Sequence, residues 1–283
     1  MDRRTHDAAR QALAAGEDAI VVEVLAARGS APRAAGTRML VSPLQAVGTV
    51  GGGHLELKAL QTARAMLAAN DLAARSEHYA LGPALGQCCG GAVTLGYEAL
   101  SADALARWPA PAPLFQLQLY GAGHVGRAIA TLLATLDTVV DWIDEREAQF
   151  PDSTSLGAPW PQHIRQFCVD AVEGEVRATP PGAFYLVLTH EHDLDLRITE
   201  AILRRGDFAY LGLIGSKTKR QRFVHRFEQR GVAADAIARM TCPIGVAGIT
   251  GKQPEVLALA VVAQLLQLAA AGPAQASASR RSA

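Results

Sequence analysis

The sequence has no surplus of either charge: lysine plus arginine is 27 and aspartate plus glutamate is 27. The balance holds locally, with 10 of each sign before Pro113 and 17 of each after it. Without a basic excess the chain lacks the phosphate-neutralising surface of a nucleic-acid binder and the polybasic patch of an anionic-membrane binder. Cysteine is scarce, 4 in 283 residues, so no disulfide framework is expected. Cys88 and Cys89 are adjacent, and neighbours in sequence form a mutual bridge only under strain. A reducing cytoplasm is the expected compartment. The opening MDRRTHDAARQAL lacks the apolar stretch of a secretory signal. The most apolar run, Val256 to Ala271, is broken by Gln264 and Gln267 and is shorter than the roughly 20 residues that cross a bilayer. It reads as a buried helix. Internal repeats are also missing.

What is present supports a sizeable core. Hydrophobic residues make up 49% and charged residues 19%, which excludes global disorder. The length suits one large domain or two modest ones. Pro109, Pro111 and Pro113 alternate and remove backbone donors, so neither a helix nor a central strand continues there. The expected organisation is a first domain over 1–107, a proline-rich linker over 108–113, a second domain over 114–271 and a disordered tail over 272–283.

In the first domain Thr5 is expected to cap a helix over Ala8 to Ala15. Strands follow at Ile20–Leu25, Arg38–Val41 and Val47–Val50, then a helix over His54–Ala69 and strands at His78–Leu81 and Ala92–Tyr97. Several glycine-rich loops punctuate this α+β domain. The second domain alternates strands (Phe115–Tyr120, Thr138–Ile143, Phe184–Leu188, Tyr210–Ile214) with helices (His124–Leu136, Leu194–Arg204, Ser216–Arg230). Short apolar strands between helices predict a Rossmann-like, doubly wound parallel sheet buried on both faces. The fold class is α/β.

Five constellations carry candidate chemistry. The first is the strand Phe115–Tyr120 running into Gly121-Ala-Gly123-His-Val-Gly126, with Asp141 and Asp144 about 20 residues beyond. Gly121 permits a tight turn, Gly123 lets amides approach a phosphate, and Gly126 lets a helix close on the strand. A scaffold without ligand is the competing reading. The second is Thr189-His190-Glu191-His192-Asp193-Leu-Asp195 at a strand's C-terminal end, where ligands of open α/β sheets sit. His190 is a candidate acid, base or ligand contact, against a bland role in which an aspartate caps the next helix. Its spacing is too generic for a zinc site, so no metal is expected. The third is Gly215-Ser216-Lys217 at the head of a basic helix, where free amides and a lysine suit a phosphate. Arg226 and Arg230 read as a solvated face.

The fourth is Gln87-Cys88-Cys89-Gly90-Gly91, where accessible thiols in a glycine nest suit a soft metal centre or transferred sulfur. Cys168 and Cys242, isolated, read as structural. The fifth is a pair of glycine loops, Arg28-Gly-Ser-Ala-Pro-Arg33 with Gly36 and Gly48-Thr-Val-Gly51-Gly52-Gly53-His-Leu-Glu56. Hairpin turns explain them; an anionic ligand near the arginines is the alternative.

Taken in order, GSAPRAAGTRMLV, GTVGGGHLE, GQCCGG, LYGAGHVG, VDWIDER, THEHDLD, YLGLIGSKTKR and PIGVAGITGKQPEVLALAVVAQLL resemble the xanthine dehydrogenase accessory proteins of the XdhC/CoxI family over roughly Glu17 to Leu268. The resemblance implies a chaperone that binds and protects the molybdenum cofactor, a phosphate-bearing pyranopterin. It implies support of cofactor sulfuration with a cysteine desulfurase and delivery to the molybdenum-binding subunit of xanthine dehydrogenase, and it implies a homodimer. Cofactor contacts are then expected from Cys88, Cys89, Gly90, Gly91, Gly121, Gly123, Gly126, Asp144, His190, Gly215, Ser216 and Lys217. Asp144 ordinarily signals a ribose, which the bare cofactor lacks. A nucleotide at the Rossmann motif, a dinucleotide form of the cofactor and a structural Asp144 remain open. The competing functions are a nicotinamide-dependent oxidoreductase and an adaptor joining desulfurase to target.

Overall fold

The computed structural model describes residues 3–81, 91–109, 112–152 and 159–275. It divides into two compact units, Met1–Ala112 and Pro113–Ala283.

The first unit is an antiparallel sheet of five strands in the order β3-β2-β1-β5-β4. The strands are β1 (Ile20–Arg28), β2 (Arg38–Val41), β3 (Ala46–Gly48), β4 (Arg75–Ala80) and β5 (Ala92–Ala99). Alternation along β1 explains the layering. Ile20, Val22 and Val24 pack with Leu55, Ala59, Ala63 and Met66 of α2 (Gly53–Ala68). Val21 faces the other way, onto Ala9 and Ala12 of α1 (Arg3–Ala15). A short helix, α3 (Ala102–Ala106), is capped by Ser101. Trp108, read from sequence as the start of the linker, is buried in the α1 cluster with Arg38 over its ring. Thr5 does not cap α1: the helix starts at Arg3, and Thr5 lies inside it, buried and close to Gly48.

The second unit is a six-stranded parallel sheet in the order β11-β10-β9-β6-β7-β8, as the alternating pattern leads one to expect. Its strands are β6 (Gln116–Tyr120), β7 (Val139–Asp144), β8 (Ile164–Cys168), β9 (Phe184–Val187), β10 (Tyr210–Leu213) and β11 (Met240–Thr241). One face is covered by α5 (His192–Arg205), α6 (Lys217–Gln229) and α7 (Ala234–Ala238). On the other lie α4 (His124–Leu133) and α8 (Pro254–Gln275), which kinks at Gly272. The order reverses between β6 and β9, so the loops after these two strands flank the topological switch point.

Candidate functional site

Three glycine turns lead into long helices, and what each does with its amide hydrogens separates them. The turn before α2 closes on its own chain. Oε2 of Glu56 accepts the amides of Val50 (3.2 Å) and Gly52 (3.1 Å) and a hydrogen bond from the Thr49 hydroxyl. The arginine-bearing loop packs beside it: Pro32 sits where a side chain on Gly51 would have to go. Gly91 in turn lies against the carbonyls of Arg28 and Ser30. The two glycine loops singled out in the sequence are thereby brought together, with Gly91 against one of them. Cys88, Cys89 and Gly90 lie outside the described residues.

The turn before α4 is also occupied. Asp144 is 4% exposed, and its Oδ2 accepts the Ala122 amide at 2.7 Å. Arg146 holds the same carboxylate through its backbone amide (2.9 Å) and through Nε and Nη2 of its guanidinium (3.0 Å each). Burial by itself raises the Asp144 pKa. The Arg146 side chain and the two amides outweigh that effect and hold the carboxyl below its ordinary value. The rest of the turn is pinned as well. Gly121 O accepts from Trp142 Nε1 at 2.9 Å, and Ala122 O accepts from Arg127 Nε at 3.0 Å.

Packing alone accounts for two of the three glycines. A methyl on Gly121 would collide with Leu188 O, and one on Gly126 with Gly121 O. A methyl on Gly123 would meet nothing within 4 Å. A dinucleotide fingerprint needs a carboxylate free for ribose hydroxyls. Asp144 has both oxygens committed to the chain, which disfavours the nicotinamide reading.

The turn before α6 is different. Ser216 Oγ caps the helix by accepting the Lys219 amide at 3.2 Å, and no acid stands in the first turn. Beside it a cavity of about 420 Å³ opens at the C-terminal ends of β9 and β10, one strand from the switch point. Its walls include His190, Gly215, Ser216, Lys219, Arg222 and Arg226. Asp195, 1% exposed, forms the floor with Lys219: Nζ is 2.6 Å from Oδ2 and 2.9 Å from Ile214 O. Oδ1 of Asp195 accepts from the amide (3.0 Å) and hydroxyl (2.7 Å) of Thr189. The lysine stem lies on Gly215, whose missing side chain makes room for it.

Of the residues expected from sequence, His190, Gly215 and Ser216 thus meet in one cavity, and Gly121, Gly123, Gly126 and Asp144 meet in a closed turn. Lys217 is exposed and does not line the cavity. Lys219 and Arg222 belong to the basic stretch singled out in the sequence, but Lys217 was preferred to them as the ligand residue. Helical spacing was the available signal: Lys219, Arg222, Phe223 and Arg226 recur at intervals of three and four, on one face, and Lys217 falls on the other. Arg226, read as merely solvated, lines the cavity and pairs with Asp193 at 3.3 Å.

Of the two cysteines read from sequence as structural, one is enclosed and the other is not. Cys168 is exposed, whereas Cys242 is buried and donates weakly to Ser216 O at 3.8 Å. The structure also brings Glu145 to His190 and Glu191, with one ligand-type atom of each within 4.8 Å of the others. This completes a carboxylate–imidazole–carboxylate set that sequence spacing did not show. The set is half-exposed, with His190 Nε2 3.6 Å from Glu145 Oε1, an arrangement that a surface ion pair explains as well as a cation would.

Comparison with known proteins gives concordant results for both units. Residues 117–265 match the XdhC Rossmann domain, and residues 12–79 match the XdhC and CoxI family. A curated relative, "Uncharacterized protein YqeB" of Escherichia coli K12, is 30% identical over 260 residues, or 88% of this chain. The chain spans 43% of that relative's length. A crystal structure from Bacillus halodurans, described as a xanthine dehydrogenase, superposes with a TM-score of 0.74 at 18% identity, covering 95% of this chain and 96% of the other. That identity establishes likeness of fold.

Proposed function

The chain belongs to the XdhC and CoxI family, and on that footing we propose that it carries the molybdenum cofactor during maturation of xanthine dehydrogenase. Membership points to a part in that maturation. The finer reading is that the protein holds the phosphate-bearing pyranopterin, protects it, supports its sulfuration by a cysteine desulfurase and hands it to the molybdenum-binding subunit. A homodimer working in the cytoplasm is part of the same proposal.

The observation that carries it is the polar cavity at the C-terminal edge of the parallel sheet, where open α/β sheets take ligands. Arg222, the Ser216 hydroxyl and the leading amides of α6 suit the phosphate of such a cargo. For the metal end the proposal assigns Cys88 and Cys89, since thiolates suit a soft centre and its sulfur chemistry. The adaptor role is compatible with this carriage.

Activation of a cofactor-free xanthine dehydrogenase tests the reading. Purified chain loaded with sulfurated cofactor is mixed with the apoenzyme, and xanthine oxidation is followed. Activation beyond that given by free cofactor at equal concentration is expected. Equality of the two rates would contradict the carrier role.

A further inference from the structure

Two of the three glycine turns that suggest an anion site already hold an anion of their own. Glu56 fills the turn before α2, and Asp144 fills the turn before α4. A phosphate brought to either would meet a fixed carboxylate, which already holds the Val50 and Gly52 amides in the first turn and the Ala122 amide in the second. The turn before α6 holds no carboxylate. Its cap is the neutral Ser216 hydroxyl, which accepts from Lys219 N and keeps its own hydrogen to donate. The amides of Lys217 and Thr218, at the first two helical positions, have no carbonyl four residues back within the helix to bond.

The charges around this turn run against the helix. A helix N-terminus is electropositive and favours acids, yet α6 opens with Lys217, Lys219 and Arg220 and has no acid in its first turn. Lys219 is neutralised by Asp195, and Arg226 faces the exposed Asp193. Arg222 lines the cavity with no hydrogen-bond or ion-pair partner among the described residues. A local arrangement this unfavourable is the kind that a ligand makes good. Of the two carboxylates in the cavity wall, the buried one is consumed by Lys219 and Thr189 and the other faces solvent.

We propose that a phosphate group binds in the cavity between β9–α5 and β10–α6, on Arg222, the Ser216 hydroxyl and the first-turn amides of α6, and that the glycine turn of β6–α4 binds none. The ligand class is a phosphate monoester or diphosphate. Only the identity of the larger ligand rests on the proposed function; the site itself does not.

The test is calorimetric titration of the full chain with inorganic phosphate and with pyrophosphate at low ionic strength. Wild type is compared with Arg222→Ala and Gly123→Ala. Both substitutions leave the fold room: Arg222 is exposed, and a methyl at Gly123 meets nothing within 4 Å. Matching thermal melts would verify that. Saturable binding by wild type is expected, weakened about tenfold or more by Arg222→Ala and unchanged in Gly123→Ala. If wild type does not bind, if Arg222→Ala binds as well as wild type, or if Gly123→Ala loses binding, the proposal is overturned. Failure here is separable from failure of the carrier reading. Cofactor retained equally by wild type and Arg222→Ala sinks the site alone; phosphate bound through Arg222 without cofactor retention sinks the carrier alone.

Discussion

The Asp144 carboxylate and the Ala122 amide, 22 positions apart in the chain, are joined by a hydrogen bond of 2.7 Å that closes the glycine turn from within. The same carboxylate takes Arg146 through three further donors, so its acceptor capacity is directed to the protein. Asp144→Asn removes the charge and part of this network, and a loss of about 2 kcal/mol is expected. The sign with pH follows from the lowered carboxyl pKa. Such a group stabilises above its unfolded pKa, and that stabilisation fades as pH falls through the folded one. In urea unfolding, the gap between wild type and Asp144→Asn should therefore be full at neutral pH and shrink below about pH 4. A gap that widened in acid would contradict this assignment.

Asp141, on the same strand, is expected to behave oppositely. Burial raises its pKa, and Arg165, 2.6 Å away, only partly offsets the rise. The folded chain then holds the Asp141 proton more tightly than the unfolded chain, so ionisation at neutral pH works against the fold. Asp141→Asn should cost less than about 1 kcal/mol, its partner being half-exposed. A loss as large as that in Asp144→Asn would show the Arg165 pair to matter more than burial.

Nicotinamide dinucleotides should not bind at the glycine turn, because the acid that would take the ribose hydroxyls is spent on Ala122 and Arg146. Titration with NAD and NADP, followed by thermal shift, should leave the melting temperature unchanged. A saturable rise with either nucleotide would restore the oxidoreductase reading.

Lys219 and Asp195 form the pair on which the cavity floor depends, with Asp195 1% exposed. Removing one partner of a buried pair strands the other charge, at a cost of about 3 kcal/mol or more. Lys219→Met should show that loss in chemical denaturation, and Lys219→Met with Asp195→Leu should recover part of it. No recovery in the double variant would mean that the Thr189 bonds to Asp195, and not the charge pair, carry the stability.

The two described thiols should separate cleanly. Burial pushes the Cys242 pKa up, so its sulfur stays protonated and enclosed, whereas Cys168 is exposed. Brief treatment of the native protein with iodoacetamide, followed by peptide mapping, should label Cys168 and spare Cys242. Equal labelling of both would show that the β11 region opens readily.

Much of this architecture was legible in the sequence where local signals agree. The run Phe115–Gly126 declares strand, turn and helix together, and the strands at Phe184 and Tyr210 are short, apolar and bounded. The elements that escaped have weak patterns: β8 buries only Ile164, and β11 has 2 residues. The site was half legible. His190, Gly215 and Ser216 stand out as residues at strand ends, but Lys219 was obscured by Lys217, because a charge run read along the chain ignores which face each residue occupies. A structural Asp144 was one of three readings the sequence left open, since Asp144 reaches Ala122 only through the pairing of β6 with β7.

Retention of the molybdenum cofactor, proposed above for this chain, is measured directly by loading. The protein is incubated anaerobically with the cofactor and passed through gel filtration, and molybdenum and oxidised pterin are counted per chain for wild type, Cys88→Ala and Cys168→Ala. The account expects near-stoichiometric retention by wild type and Cys168→Ala, and a clear loss in Cys88→Ala. Absence of cofactor from the wild-type peak would contradict it.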